Sequence, residues 1–284
     1  MSREIRLTLG HSPDPDDAFM HYALAKEKID TGPYRFEHIL QDIQTLNERA
    51  TRGELDITAI SVHAYAYVSD RYALLPSGAS MGDRYGPMVV AREPYDPADL
   101  PGKTIAVPGL MTSAYLELRL AIGEFDARVV PFDQIIPRVA AGEFDAGLII
   151  HEGQLTYRDA GLHSCLELGA WWDELTGGLP LPLGANTIHK RHGERMPEIA
   201  RILEESIRYG LEHREEALAY ALQWARDMET DLADRFVGMY VNHWTLDYGE
   251  KGRAAIRELL ERAHAAGLIP AVPGLEFVEV APSV

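Results

Sequence analysis

The chain alternates short apolar runs with helical patterns, and this alternation starts a second time after Gly102. The first series predicts strands at Ile5–Leu9, Arg35–Leu40 and Leu55–Ile60, and helices at Asp16–Lys26, Ile43–Thr51 and Val62–Val68. After the proline-rich segment Glu93–Gly102, the second predicts strands at Thr104–Val107, Ala127–Pro131 and Ala146–Ile150, and helices at Ser113–Ile122 and Ile135–Ala141. Such alternation is typical of mostly parallel sheets with helices on their faces.

The last third of the chain is predicted to be almost entirely helical. A strand at Asn186–His189 precedes helices at Met196–Tyr209, Arg214–Arg226, Asp231–Asn242 and Lys251–Ala266. These helices have no sheet of their own, so we expect the chain to return to its first lobe. The predicted fold is a two-lobed α/β fold of the periplasmic-binding-protein-like type II class, with a ligand cleft between the lobes. Lobe one is residues 1–90 plus 186–284 and lobe two is residues 91–185; the alternative is a single doubly wound sheet.

Composition narrows the classes of partner. The 284 residues are enough to bury a sizeable core, and the net charge of −17 argues against a nucleic acid or an anionic membrane as partner. One cysteine, Cys165, excludes an intrachain disulfide framework and a cysteine metal site, and no HExxH-type metal motif is present. The first residues hold no long apolar run, so we expect a cytoplasmic protein; the sequence does not determine the oligomeric state.

Polar residues follow the predicted strands of the first lobe, where ligands of open α/β sheets bind. Ser12 and Asp14 follow the first strand, and each can contact a ligand or cap the next helix. Asp16 and Asp17 are interpreted as helix-capping residues. Ser61 follows the third strand, where free backbone N–H groups and its hydroxyl can hold a carboxylate, or where it is an ordinary N-cap.

The second lobe offers two further loops. Thr112 and Ser113 open a helix after the strand Thr104–Val107, and two adjacent hydroxyls exceed what one cap needs, which favours ligand contact. His151 and Glu152 end the apolar strand Ala146–Ile150. An imidazole titrates near neutral pH, which suits it to general-base catalysis, although a lone histidine is more often structural.

At these same loops the sequence resembles the menaquinone-biosynthesis enzymes of the futalosine route, in particular the dihydroxynaphthoate synthase branch. The resemblance spans nearly all of residues 5–190. It is carried by Ser12-Pro13-x-Pro15-x-Asp17-x-Phe19, Asp42-Ile43-x-Thr45-Leu46-Asn47, Gly86-Pro87-x-Val89-Val90, Gly147-Leu148-Ile149-Ile150-His151-Glu152, Leu168-Gly169-Ala170-Trp171-Trp172 and Leu179-Pro180-Leu181-Pro182-Leu183-Gly184-Ala185. The runs around His151 and Pro180 are quite specific to the family.

The resemblance implies a cytoplasmic lyase that splits cyclic dehypoxanthine futalosine into 1,4-dihydroxy-6-naphthoate and a sugar-derived fragment. It implies that His151 is the base and that no metal or organic cofactor takes part. The residues expected to bind the organic-acid substrate are Ser12, Asp14, Asp42, Ser61, Thr112, Ser113, Glu152 and Gly184. Two alternatives remain open, namely a chorismate dehydratase of the same pathway and a non-catalytic small-anion-binding protein with the same fold.

Overall fold

The computed structural model describes residues 4–224 and 230–280. Its strands are β1 Ile5–His11, β2 Tyr34–Leu40, β3 Ile57–Ser61, β4 Tyr72–Leu74, β5 Ser80–Gly82, β6 Met88–Ala91, β7 Thr104–Val107, β8 Asp126–Val129, β9 Ala146–Ile149, β10 His163–Glu167 and β11 Leu181–His189. Its α-helices are α1 Pro15–Met20, α2 Tyr22–Ala25, α3 Ile43–Thr51, α4 Val62–Val68, α5 Ser113–Ile122, α6 Phe132–Ala140, α7 Gly153–Thr156, α8 Leu168–Thr176, α9 Met196–Glu212, α10 Arg214–Ala221, α11 Thr230–Tyr240, α12 His243–Leu246 and α13 Gly249–Ala265.

The strands form two mixed sheets. The first has the order β2-β1-β3-β11-β4, with β5 also paired to β11, and the second has the order β10-β6-β9-β7-β8. In the first, β1 runs parallel to β2 and β3, whereas β11 is antiparallel to β3 and β4. In the second, β7 runs parallel to β8 and β9, whereas β6 is antiparallel to β9 and β10. The prediction of mostly parallel sheets is therefore wrong, because the strand–helix alternation describes β1–β3 and β7–β9 but not β6 and β11, which run antiparallel to both of their neighbours in the strand order.

Both sheets repeat one local topology. The chain runs from β1 to β2 on one side and then crosses to β3 on the other side of β1, and β7, β8 and β9 follow the same course. A topological switch point therefore lies between β1 and β3, and another between β7 and β9. In open α/β sheets, ligands bind outside the carboxyl ends of the strands at such points.

Each sheet is covered by helices that bury an apolar face. Leu7 and Leu9 of β1 join Ile199 and Leu203 of α9 in one buried cluster of the first sheet. On the second sheet, Ile135 and Val139 of α6 pack in a cluster with β6, β7 and β9. Burial of each such side chain contributes about 1.5–3 kcal/mol. These clusters hold the strands whose ends carry the predicted site residues.

Several predicted elements end differently in the structure. The predicted helix Asp16–Lys26 is broken at His21, where φ is −100° and ψ is 8°. The Gly/Pro-rich segment 177–184 contains the start of β11 at Leu181, because pairing with a distant strand outweighs its turn-forming residues. The predicted helix Arg214–Arg226 is observed as α10 and a 3₁₀ turn, Leu222–Trp224, and its last two residues lie outside the described residues.

The chain divides into two compact units. One comprises Met1–Ser80, Gly184–Glu250 and Pro273–Val284, and the other comprises Met81–Leu183 and Lys251–Val272. The segment Lys251–Val272, with most of α13, thus groups with the second unit, whereas the sequence-based division assigned it to lobe one. Within residues 4–224 and 230–280, no helix combines the length and apolar character needed to cross a membrane.

Glu117 is a buried acid in the middle of α5. Glu117 is fully buried, and neither of its carboxyl oxygens has a hydrogen-bond partner among the described residues. Burial raises the pKa of Glu117 well above its ordinary value of 4.5. An unfolded Glu117 loses its proton near pH 4.5, whereas the folded protein retains it to higher pH. Between the pKa of Glu117 in the unfolded chain and its higher pKa in the folded protein, the folded state binds more protons. The contribution of Glu117 to the free energy of unfolding therefore falls as the pH rises through this range.

We expect Glu117→Met, which keeps the side-chain volume, to raise the free energy of unfolding at pH 7 by about 2 kcal/mol, because it removes an unsatisfied buried polar group. The gain should grow as the pH rises from 4 to 8, since the unfolded wild-type chain is stabilised by releasing the Glu117 proton that the folded protein retains. Chemical denaturation across this pH range measures the effect, with the exposed Glu261→Met on α13 as the control. A gain that does not change with pH would contradict the assigned protonation.

Candidate functional site

Three of the predicted binding residues lie at one edge of the first sheet. Ser12 follows β1, Asp42 follows β2 and Ser61 ends β3. Because these three strands are adjacent and parallel, their carboxyl ends share an edge, and Ser12 and Ser61 flank the switch point. The strand patterns in the sequence predict this grouping.

Ser12 is buried and fixed by its own loop. Its N–H donates to Oδ2 of Asp17 at 2.6 Å, and its hydroxyl donates to Oδ2 of Asp14. Its carbonyl oxygen lies 3.0 Å from Nδ1 of His11. Because the Ser12 hydroxyl donates its only proton to Asp14, it can contact a ligand only as a hydrogen-bond acceptor.

The three carboxyl groups of this loop, those of Asp14, Asp16 and Asp17, lie in different environments. Asp14 occupies the N-cap position of α1 without a side-chain capping bond. Burial raises the pKa of Asp17 to about 7. Burial, reinforced by Asp17 and Asp14, raises the pKa of Asp16 well above its ordinary value. The loop therefore carries less negative charge at neutral pH than three carboxylates would give.

Ser61 is held by Asn47, which belongs to a run that carries the family resemblance but was not predicted as a site residue. The fully buried Asn47 accepts from the Ser61 N–H through Oδ1 at 2.8 Å and donates from Nδ2 to the Ser61 hydroxyl oxygen at 3.0 Å. The expectation of a free N–H at Ser61 is therefore wrong, because Asn47 occupies it. The hydroxyl proton of Ser61 is not used in either bond. Gly184 of β11 pairs with Ser61 across the sheet, which brings these two predicted residues together.

Asp42 is a helix cap. Its carboxylate accepts from the Thr45 N–H at 3.0 Å and from the Thr45 hydroxyl at 2.5 Å, at the start of α3. These two bonds, both donated by Thr45, explain locally why α3 begins there. Substrate contact by Asp42 stays a prediction.

The remaining predicted residues lie at one edge of the second sheet. Thr112 and Ser113 follow β7, and His151 and Glu152 follow β9, which runs parallel beside β7. Thr112 caps α5 by accepting from the Tyr115 N–H at 3.2 Å. The Ser113 hydroxyl donates to the carbonyl oxygen of Leu183 at 2.5 Å. Both hydroxyls thus have partners within the fold, and substrate contact by Thr112 and Ser113 stays a prediction.

His151 has an unusual backbone conformation. Its φ is +56°, in the left-handed region that non-glycine residues rarely adopt. Its ring lies against Phe132, with centroids 4.7 Å apart and planes at 58°. Its carbonyl accepts from the Gln154 N–H at 3.2 Å, which helps to start the short helix α7. Strained residues of this kind cluster at functional sites, so this backbone is a reason to assign His151 a function.

Glu152 follows directly and occupies the N-cap position of α7 with helical backbone angles. Its carbonyl accepts from the Leu155 N–H at 2.9 Å. The second edge thus combines two hydroxyls, an imidazole and a carboxyl group, which are the components of a proton-transfer site.

Three histidines near Ser12 were not predicted as site residues. His11 directly precedes Ser12, His21 separates α1 from α2, and His38 lies on β2. Because these histidines are far apart in the sequence, the sequence did not predict that they lie close together. In the part of the chain that the structure describes, no group of three or more His, Cys, Asp or Glu residues is arranged to hold a metal ion.

Comparison with known proteins gives matches along nearly the whole chain. A family model described as menaquinone biosynthesis matches residues 7–265. A protein of Thermus thermophilus named 1,4-dihydroxy-6-naphthoate synthase is 44% identical over 276 residues, which cover 96% of this chain and 99% of the relative. A protein of Streptomyces coelicolor with the same name is 40% identical over 275 residues, which cover 94% and 95%.

Solved structures agree with the fold. A crystal structure of a protein from Archaeoglobus fulgidus is similar with a TM-score of 0.89 and 46% identity, over 93% of this chain and 98% of that one. A protein of Candida albicans, described as having the generic periplasmic binding protein fold, gives a TM-score of 0.72 at 13% identity over 99% and 98%. The second likeness shows the fold alone, and it confirms the predicted α/β fold class.

Proposed function

The chain belongs to the menaquinone biosynthesis family, and we propose that within this pathway it acts as a 1,4-dihydroxy-6-naphthoate synthase. Membership makes it an enzyme of menaquinone biosynthesis. The finer assignment is supported by 40–44% identity to two relatives of that name along nearly the full chain. The proposed substrate is cyclic dehypoxanthine futalosine, and the proposed reaction class is that of a lyase.

In the proposed mechanism His151 is the general base. It takes a proton from the carbon next to an activated carbonyl, and the electron pair of the broken C–H bond drives cleavage of the bond to the sugar-derived fragment, which departs with the electron pair of that bond as the ring becomes aromatic. The products are 1,4-dihydroxy-6-naphthoate and a sugar-derived fragment. Aromatisation supplies driving force, so a single well-placed base is sufficient for the step. The observation that carries this role is the left-handed backbone of His151, which lies two residues beyond the end of β9 at a switch point.

The binding residues are assigned by the chemistry that they offer. Thr112 and Ser113 open the ten-residue helix α5, whose N-terminal end favours an anion, so we assign them to the substrate carboxylate. Ser12 and Asp14 present hydrogen-bond acceptors, so we assign them to hydroxyl groups of the sugar-derived part. The remaining polar contacts of the substrate are assigned to Asp42, Ser61, Glu152 and Gly184.

The direct test is incubation of the purified protein with cyclic dehypoxanthine futalosine, followed by mass spectrometry. We expect the mass of 1,4-dihydroxy-6-naphthoate to appear in proportion to protein and time. A parallel incubation with chorismate tests the dehydratase alternative. Turnover of chorismate alone, or binding of either compound without turnover, would overturn the proposal.

A further inference from the structure

Three imidazole rings lie together beside the Ser12 loop, and the proposed reaction does not use them. The ring centroid of His11 lies 4.7 Å from that of His21 and 5.2 Å from that of His38. His11 and His21 are buried, whereas His38 is partly exposed. The rings come from the end of β1, the junction of α1 and α2, and β2. Only the fold brings them into contact.

Two of these rings form a hydrogen-bonded chain that ends on Ser12. Nδ1 of His11 lies 3.0 Å from the carbonyl oxygen of Ser12, and Nε2 of His11 lies 2.9 Å from Nδ1 of His38. A carbonyl oxygen only accepts, so Nδ1 of His11 must carry a proton. In a neutral His11, Nε2 is then an acceptor, and Nδ1 of His38 must carry a proton as well. The geometry thus defines one tautomer for each ring.

The surroundings of His11 favour its neutral form. It is faced by His38 and by His21, and the carboxyl groups of Asp14, Asp16 and Asp17 follow in the adjoining loop. Burial, together with the neighbouring His38, lowers the pKa of His11 to about 3. A neutral His11 can both donate to Ser12 and accept from His38, which a protonated ring cannot do.

The hydrogen-bonded chain from His38 through His11 completes the restraint of Ser12. Asp17 binds its N–H, His11 binds its carbonyl and Asp14 accepts its hydroxyl proton. If the bond from His11 were lost, the Ser12 peptide could rotate and carry the hydroxyl away from Asp14. The orientation of the acceptor pair Ser12–Asp14 therefore depends on a ring that itself has no assigned contact with substrate.

We propose that His11 and His38 are positioning residues, which act through the Ser12 carbonyl to hold Ser12 and Asp14 in the arrangement that binds a substrate hydroxyl group. This inference rests on the proposed function, because it takes Ser12 and Asp14 as substrate-binding residues. The role is one of orientation, and neither histidine exchanges a proton with the substrate.

The first test needs no substrate. Long-range ¹H–¹⁵N correlation NMR at pH 7.5 reports which ring nitrogen of each histidine is protonated. We expect a protonated Nδ1 on both His11 and His38, and an Nε2 on His11 without a proton. We also expect the Ser12 amide proton to exchange with solvent faster in His11→Phe than in the wild type. A protonated Nε2 on His11, or unchanged exchange at Ser12, would overturn the inference even in a protein that turned over no substrate.

The second test separates binding from chemistry. His11→Phe keeps a ring of similar size but removes both hydrogen bonds, and we expect it to raise KM for cyclic dehypoxanthine futalosine about tenfold. The value of kcat should change less than about twofold, since the base His151 is untouched. His11→Asn places an amide donor near the position of Nδ1 and should recover part of the loss. His38→Phe, at a partly exposed position, should raise KM in the same direction.

The control is His163→Phe, an exposed histidine on β10, which should leave both constants unchanged. A merely structural role for His11 would reduce the amount of folded enzyme, which lowers the apparent kcat and leaves KM as it is. A fall in kcat at constant KM, or no rescue by His11→Asn, would therefore contradict the positioning role. Loss of wild-type turnover would instead contradict the proposed function, while the tautomer measurement would still test the histidine chain.

Discussion

Replacing His151 with asparagine is expected to lower kcat for cyclic dehypoxanthine futalosine by about 10²- to 10⁴-fold, the contribution of a positioned general base. KM should change little, because His151 is proposed to act on the reacting proton and not to hold the substrate. Asparagine is the informative replacement, since it lacks a basic nitrogen and tolerates the left-handed backbone better than most residues. The observed φ of +56° should therefore persist, and the free energy of unfolding should stay within about 1 kcal/mol of wild type.

The measurement is steady-state turnover by mass detection of the naphthoate product, together with chemical denaturation of each variant. His163→Asn is the matched control, because it makes the same chemical change at an exposed position of β10. A His151→Asn variant that retains kcat within tenfold of wild type would exclude His151 as the base. A large rise in KM at constant kcat would reassign His151 to substrate binding.

The sequence predicts the elements best where their limits are set locally. The bounds of α3 and α5 are predicted at the observed residues, because Asp42 and Thr112 each cap the helix that follows. The placement of Ser12 and Ser61 at one edge follows in the same way from the order of strands and helices. Such features depend on residues only a few positions apart.

Features that depend on contacts between residues far apart in the sequence were not predicted. β11 begins inside a segment rich in glycine and proline, because its partners β3 and β4 are more than a hundred residues away in the chain. The role of Asn47 is visible only once Ser61 is seen beside it, and the same holds for His11 and His38. For the candidate site, the sequence therefore identified which loops carry polar groups but not which of those groups are already occupied within the fold.

Two runs that carry the family resemblance meet in the structure at a close backbone contact. Leu168 at the start of α8 donates its N–H to the carbonyl of Pro87 at 3.0 Å. A β-carbon added to Gly169 would lie 2.4 Å from the carbonyl carbon and oxygen of Tyr85, and 2.6 Å from its nitrogen. These are backbone atoms, so the contact cannot be relieved by moving a flexible side chain. The physical reason for glycine at position 169 is thus the approach of α8 to the segment before β6.

Gly169→Ala is therefore expected to lower the free energy of unfolding by about 4 kcal/mol or more, at the extreme of single substitutions. Gly102→Ala is the matched control, because no atom lies within 4 Å of its added β-carbon and its backbone does not require glycine. That variant should be unchanged or slightly more stable, since alanine restricts the unfolded chain. Chemical denaturation compares the free energies of unfolding of the two variants. If Gly169→Ala yields too little folded protein for this measurement, the yields of folded protein of the two variants are compared instead. Near-equal stability of the two variants would show that α8 can move away from Tyr85, so that this contact does not fix the packing of the second sheet.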